Sequence, residues 1–182
     1  PPTPSHNLPG STRKVAERAD AIAAIRRDLD QSRLVSIVGT AGIGKTAVAI
    51  AVAEAAIEAF GDGVWLVDLA ALEDGERTTS TIAATLGLPV DTSLAPLCEH
   101  LRHRQTLLVL DHCEHVIDAV AECADRILAS AAGVRILVTS REPLRVAKER
   151  VRRRAPLASP LDTGDDRLVG RVEELALLQQ AV

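Results

Sequence analysis

The sequence predicts an α/β fold built on a parallel sheet with helices on both faces. Short apolar runs alternate with stretches of helical periodicity, the pattern of repeated strand–helix–strand units. The apolar runs are nearly continuous, as in strands buried on both faces. A glycine-rich turn, residues 39–44, sits between the first apolar run and the helix after it.

Residues 1–12 hold four prolines and few apolar side chains, and read as linker. Residues 13–31 place Val15, Ala19, Ile22, Ile25 and Leu29 at helical spacing, an amphipathic helix leading into the domain. Leu34–Val38 is a short buried strand. Residues 45–60 are rich in alanine, with Val48, Val52, Ala56 and Phe60 on one helical stripe. Gly61 and Gly63 stop that helix. A second strand covers 64–69. Helices follow over 80–86, closed by Gly87 and Pro89, and over 94–102. Residues 106–110 form a third strand ending at Asp111. Residues 116–131 are helical and closed by Gly133, and 134–138 form a fourth strand ending at Thr139. A fifth strand is expected over 151–157. Residues 158–167 read as a polar linker and 172–182 as a helix cut by the chain end. The expected division is linker over 1–12, one domain over 13–157, and linker with a truncated helix over 158–182.

Composition excludes several classes. A chain of 182 residues with 47% apolar content suits one α/β domain with a real core. Phe60 and Trp65 are its only aromatic residues, so the core is aliphatic and lacks platforms for stacking single-stranded bases. A net charge of -4 argues against a broad basic face for DNA. Cys98, Cys113 and Cys123 are odd in number and without paired spacing, which points to reduced thiols in a cytoplasmic protein. No apolar run approaches the roughly 20 residues of a membrane span. Residues 1–10 have neither the basic nor the apolar region of a signal peptide, so the chain is expected to be one piece of a longer protein.

The chemistry concentrates in Gly39-Thr40-Ala41-Gly42-Ile43-Gly44-Lys45-Thr46, a full match to G-x-x-x-x-G-K-[ST] between a strand and a helix. The glycines let the backbone turn its N–H groups toward phosphates, and the helix start adds donors and a positive dipole end. Lys45 is placed to neutralise the β- and γ-phosphates, and the Thr46 hydroxyl to ligate Mg²⁺. The ligand is read as ATP or ADP, with GTP as the alternative, because the purine pocket has no legible motif. Asp111 ends an apolar strand, Leu107-Leu108-Val109-Leu110, as a Walker B acid does, and is the second expected magnesium ligand. Many such ATPases place a Glu directly after this Asp to activate water; here that position is His112. Glu114 is the nearest substitute, and equally a cap for the helix that follows. Thr139, Ser140 and Arg141 close the fourth strand, where polar groups can sense the γ-phosphate and Arg141 can reach it as a charged donor.

Two weaker signals remain. His112, Cys113, Glu114 and His115 lack the second ligand pair of a zinc site and read as a loop. Lys148, Arg150, Arg152, Arg153 and Arg154 form a basic run. It suits the exposed face of an edge strand, or else contact with nucleic acid, an acidic partner or nucleotide phosphates.

These residues, with HNLPG at 6–10, DGVWLVDLA at 62–70, LLVLDHCEHVID at 107–118 and ILVTSREPLRV at 136–146, resemble the nucleotide-binding domain of STAND-class signalling ATPases. More narrowly they resemble the NB-ARC or AP-ATPase-like domain of bacterial winged-helix or LuxR-type transcriptional regulators. The resemblance implies a three-layer P-loop NTPase fold with a five-stranded parallel sheet ordered 5-1-4-3-2. It implies switching between ATP and ADP states with slow hydrolysis, and assigns Arg141 as the γ-phosphate sensor. DNA contact would come only through a domain outside this chain, and nucleotide-dependent oligomerisation is compatible with the class. Two departures stand out. Val15-Ala16-Glu17-Arg18 occupies the place of the family's Val-Gly-Arg-Glu motif but lacks its glycine. Leu168-Val169-Gly170-Arg171 resembles that motif after the domain, either starting a second module or capping a helix. The rival readings are an efficient motor or clamp-loader-like ATPase, a small-molecule kinase and a scaffold without nucleotide.

Overall fold

A computed structural model of the chain describes residues 5–10 and 19–154. The expected helix start over 13–18, strand residues 155–157 and everything over 158–182 lie outside the described residues. The elements are α1 (Ala19–Gln31), β1 (Leu34–Val38), α2 (Lys45–Ala56) and β2 (Val64–Asp68), then α3 (Thr78–Thr85) and α4 (Leu94–Leu101). They continue with β3 (Leu107–Asp111), α5 (Ile117–Ser130), β4 (Arg135–Ser140) and β5 (Glu149–Arg153). Short 3₁₀ turns cover Ile57–Ala59 and Cys113–His115.

The five strands pair in parallel in the order β2-β3-β4-β1-β5, the expected order read from the other edge. The period-2 geometry of strands sorts each apolar run onto two faces. In β3, Leu107 and Val109 join the core under α1 and α2, while Leu108 and Leu110 join the one under α3, α4 and α5. In β4, Leu137 serves the first core, and Ile136 and Val138 the second. Helix α1 contributes Ile22, Ile25 and Leu29 to the first core, one stripe of its surface. Helix α2 buries Val48, Ala49, Val52, Ala53 and Ala56 there, and its alanines let it lie close to the sheet. Ile82, Leu97, Leu101, Val120 and Ile127 fill the other side, completing three layers.

The fifth strand differs from expectation: it runs Glu149–Arg153, starting two residues before the 151–157 read from sequence. Its register is set by β1, from Leu34 against Glu149 to Val38 against Arg153. Its arginines are tolerated in a strand because it is an edge and because α1 supplies a counter-charge. Asp28, 1% exposed, pairs with Arg150 Nε at 2.8 Å and accepts from Arg152 Nη2 at 2.9 Å. Arg152 Nε also pairs with the second Asp28 oxygen. Helix α3 begins at Thr78, two residues before the expected start.

The sheet's other edge is also covered. Residues 5–8, within the stretch read as linker, lie along β2. Val64 N donates to the Ser5 carbonyl at 3.0 Å. The Asn7 amide donates to the Leu66 carbonyl at 2.8 Å and accepts from Leu66 N at 2.7 Å, and Leu8 enters the core.

The Asp28 contacts generate a test with a defined pH sign. The hydrogen bond from Arg152, aided by the charges of Arg152, Arg150 and Arg27, outweighs desolvation and holds the Asp28 carboxyl below its ordinary pKa. The contribution is therefore full above the ordinary carboxylate range and fades as pH falls through the folded-state pKa. Because both arginines are about half exposed, Asp28→Asn should cost only about 1–2 kcal/mol at neutral pH, measured by urea unfolding. The gap from the parent protein should close in acid; a gap that persists there would refute the assignment.

Candidate functional site

Parallel pairing puts all five strand ends in one row, and the residues singled out from sequence meet at that C-terminal edge. Asp68 is in register with Asp111, and Val38 with both Ser140 and Arg153. The chain leaves β1 through Gly39 and re-enters regular structure at Lys45, the first residue of α2. Gly42 and Gly44 both have φ of 80°, a backbone conformation that side chains oppose. Gly39 is required for a different reason. A Cβ there would run into the Ile43 side chain and stand 2.8 Å from the Arg154 carbonyl oxygen.

Lys45 folds back over the loop, its Nζ donating to the Gly39 carbonyl at 2.9 Å and the Thr40 carbonyl at 3.0 Å. Its ammonium is thereby held over the loop backbone. Thr46, on the first turn of α2, donates its hydroxyl to Asp111 Oδ1 at 3.0 Å. The two residues expected to hold magnesium are thus brought together from positions 65 residues apart in the sequence. Their oxygens are the hard donors that Mg²⁺ takes.

Asp111 is 2% exposed, and its charge is met from three directions. Thr139, on β4, donates its hydroxyl to Asp111 Oδ1 in a short hydrogen bond. Thr139 was expected among the groups facing a terminal phosphate; its hydroxyl is instead committed to Asp111 and also accepts from His112 N at 3.1 Å. His112 sits in the left-handed region, φ 59°, which swings its ring back over the strand ends. Its Nδ1 lies 3.0 Å from Asp68 Oδ1 and 3.3 Å from Asp111 Oδ2. Partial burial disfavours the imidazolium. The hydrogen bond to Asp68 and the charges of Asp111, Asp68 and Glu114 outweigh it, so the His112 pKa stands above the ordinary histidine value.

Glu114 and Arg141 also meet, with Glu114 Oε1 3.5 Å from Arg141 Nε. Glu114 Oε2 is buried without a hydrogen-bond partner among the described residues. Ala70, His112, Glu114, His115, Arg141 and Glu142 line a cleft of about 500 Å³ beside this pair. A second cleft of similar size lies between Arg141, Arg153, Arg154 and the first half of the loop, Val38 to Ala41. Cys113 takes no part. It is buried, its thiol donates to the Leu110 carbonyl at 3.3 Å, and burial with the Asp111 and Glu114 charges pushes its pKa well up. All three cysteines are free.

Sequence reading missed Asp68, and named Arg154 only as one member of the basic run. Asp68 was legible as an acid ending an apolar strand, but β2 lies outside the loop–Walker B pairing and so drew no attention. Arg154 donates from Nε to the Ile43 carbonyl at 2.8 Å, a contact no local pattern announces.

Comparison with known proteins agrees with this architecture. A Mycobacterium tuberculosis protein named as a candidate HTH-type transcriptional regulator is 38% identical over 128 residues, covering 69% of this chain and 14% of that protein. An uncharacterized protein of the same species is 36% identical over 137 residues, covering 74% of this chain and 35% of that one. The chain therefore spans only a minor part of either relative. Among solved structures, a STAND protein with a tetratricopeptide repeat sensor from Pyrococcus horikoshii superposes with a TM-score of 0.56 at 17% identity. That match covers 80% of this chain and 23% of that one. Cdc6p from Pyrobaculum aerophilum gives a TM-score of 0.54 at 16% identity, over 80% of this chain and 46% of that one, a likeness of fold. Residues 18–158 match the NB-ARC domain, and the chain belongs to that family of STAND-class P-loop ATPase domains.

Proposed function

We propose that this nucleotide-binding domain is the ATP/ADP switch of a signal-responsive transcriptional regulator, acting in the cytoplasm and hydrolysing ATP slowly. One observation carries the reading. The phosphate loop is complete and faces the Thr46–Asp111 pair, yet each nearby group able to activate water already has an ionic partner. His112, in the position after Asp111, is engaged by two carboxylates. Glu114 is paired with Arg141. Such an arrangement supports tight binding with slow chemistry.

In this reading the loop N–H groups and Lys45 bind the β- and γ-phosphates. Thr46 and Asp111 hold Mg²⁺, which neutralises charge developing on the phosphates. Thr139 orients the Asp111 carboxylate through its hydroxyl. Arg141 senses the γ-phosphate, leaving Glu114 to orient water once its partner turns to the nucleotide. Among the described residues no helix is long and apolar enough to cross a membrane. DNA contact belongs to another part of the longer protein, a reading supported by the name of the mycobacterial relative. Nucleotide-dependent oligomerisation is part of the same proposal.

Isothermal titration of ATP and ADP, with and without Mg²⁺, should give tight ADP binding, and a phosphate-release assay should give turnover far below the ~10 s⁻¹ typical of enzymes. Weak binding with fast, multiple-turnover release would favour a motor-like ATPase instead. Lys45→Ala should abolish ATP binding; an intact affinity would sink the site assignment. Thr139→Val removes one hydroxyl donor from the buried Asp111. It should lower stability by about 1–2 kcal/mol and weaken chiefly the Mg²⁺-dependent part of binding. Equal loss with and without Mg²⁺ would argue against Thr139 acting through the metal ligand.

A further inference from the structure

Arg154 stands at the end of the edge strand β5 and touches both ends of the phosphate loop. Its main-chain N–H donates to the Val38 carbonyl at 2.7 Å, at the loop's entry. Its own carbonyl oxygen packs where a Cβ on Gly39 would stand. Its guanidinium Nε donates to the Ile43 carbonyl at 2.8 Å, at the loop's exit, immediately before Gly44 and Lys45.

The last contact bears on the loop's chemistry through peptide geometry. In a trans peptide the C=O and the following N–H point to opposite sides. A carbonyl of Ile43 drawn to Arg154 therefore turns the Gly44 N–H away from Arg154. Rotating that peptide requires changes at Ile43 ψ and Gly44 φ, and glycine adopts either sign of φ at little cost. Gly44 itself sits at φ 80°. Local sterics at Gly44 thus do little to hold this peptide in one orientation, and an external hydrogen bond from a permanently charged donor does.

We propose that Arg154 is a positioning residue of the phosphate loop: it fixes the Ile43–Gly44 peptide so that the Gly44 N–H faces the bound phosphates. The inference rests on the proposed nucleotide site and adds a determinant outside the G-x-x-x-x-G-K-[ST] motif. It also ties phosphate affinity to the position of β5, an edge strand among the described residues. Charge alone does not account for the role: Arg153 brings the same charge to the same cleft, but among the described residues the hydrogen bond to Ile43 comes from Arg154.

The test uses the whole chain with Arg154→Ala, Arg154→Lys and Arg153→Ala. ATP and ADP affinities are measured by calorimetry, and the Gly44 amide by NMR in nucleotide-free protein. Arg154→Ala should weaken both nucleotides about tenfold and shift the Gly44 resonance. Arg154→Lys, which keeps a donor for the Ile43 carbonyl, should recover most of the affinity, and Arg153→Ala should lose less than about threefold. Unchanged affinity in Arg154→Ala, an equal loss in Arg153→Ala, or a lysine variant as weak as alanine would each overturn the assignment. Should Arg154→Ala unfold, the lysine variant and Arg153→Ala still decide between donation and charge. A parent protein that binds no nucleotide removes the site reading, whereas an unmoved Gly44 amide in Arg154→Ala removes the clamp.

Discussion

The buried carboxylate of Asp111 is the constraint around which the site is built. An ionised acid taken out of water is tolerated only when its lone pairs are met by donors or opposite charge. Here the donors come from separate elements: Thr46 on α2, Thr139 on β4 and His112 on the turn after β3. None of these elements can shift without leaving part of the charge unmet. The start of the loop helix is thereby tied to the centre of the sheet. The parallel topology makes this possible, since it lines up the ends of β2, β3, β4 and β1 along one edge.

Much of this was legible in the sequence, and the reasons for the remainder are physical. Strands β1, β3 and β4 are apolar on both faces, so their composition announced them, and the loop motif named its own residues. The arginine-rich β5 was expected, but over 151–157, two residues late, because its charges blur where it begins. It exists as a strand because Asp28, distant in sequence, answers its charges, and no local window contains that information. Residues 5–8 read as linker because the stretch around them, 1–12, holds four prolines and few apolar residues, yet they are held by backbone and amide hydrogen bonds to β2. Within the site, Thr46 and Asp111 were each expected as magnesium ligands from the motifs they belong to, and they lie in hydrogen-bond contact. The turning of Thr139 onto Asp111, and of His112 onto Asp68, depends on strand register and on a left-handed residue, neither of which composition reveals.

The pairing of Glu114 with Arg141 gives two sequence candidates a common meaning. Read singly, each was a group in search of a phosphate or a water. Together they form an ion pair with an exposed arginine, the kind whose net strength in water is small and which therefore exchanges partners readily. A γ-phosphate, with more negative charge, would offer Arg141 a stronger acceptor than one carboxylate oxygen 3.5 Å away. The Glu114 oxygen that is buried without a partner among the described residues lies on the opposite side of that choice. In the proposed reading, sensing and chemistry are then one rearrangement.

The two edges of the sheet are guarded by different chemistry. At β5 the guard is electrostatic, a row of arginines that repels another strand of its own kind. At β2 it is steric and hydrogen-bonded: the Asn7 amide imitates a peptide unit and occupies the N–H and C=O of Leu66. Residues 5–8 thus serve as a short counterfeit strand. A chain trimmed to begin after residue 10 would lose the hydrogen bonds that cover this edge, whose only charge within β2 is Asp68 at its end. Its failing would be self-association through that edge, arising far from the loop that gives the domain its chemistry.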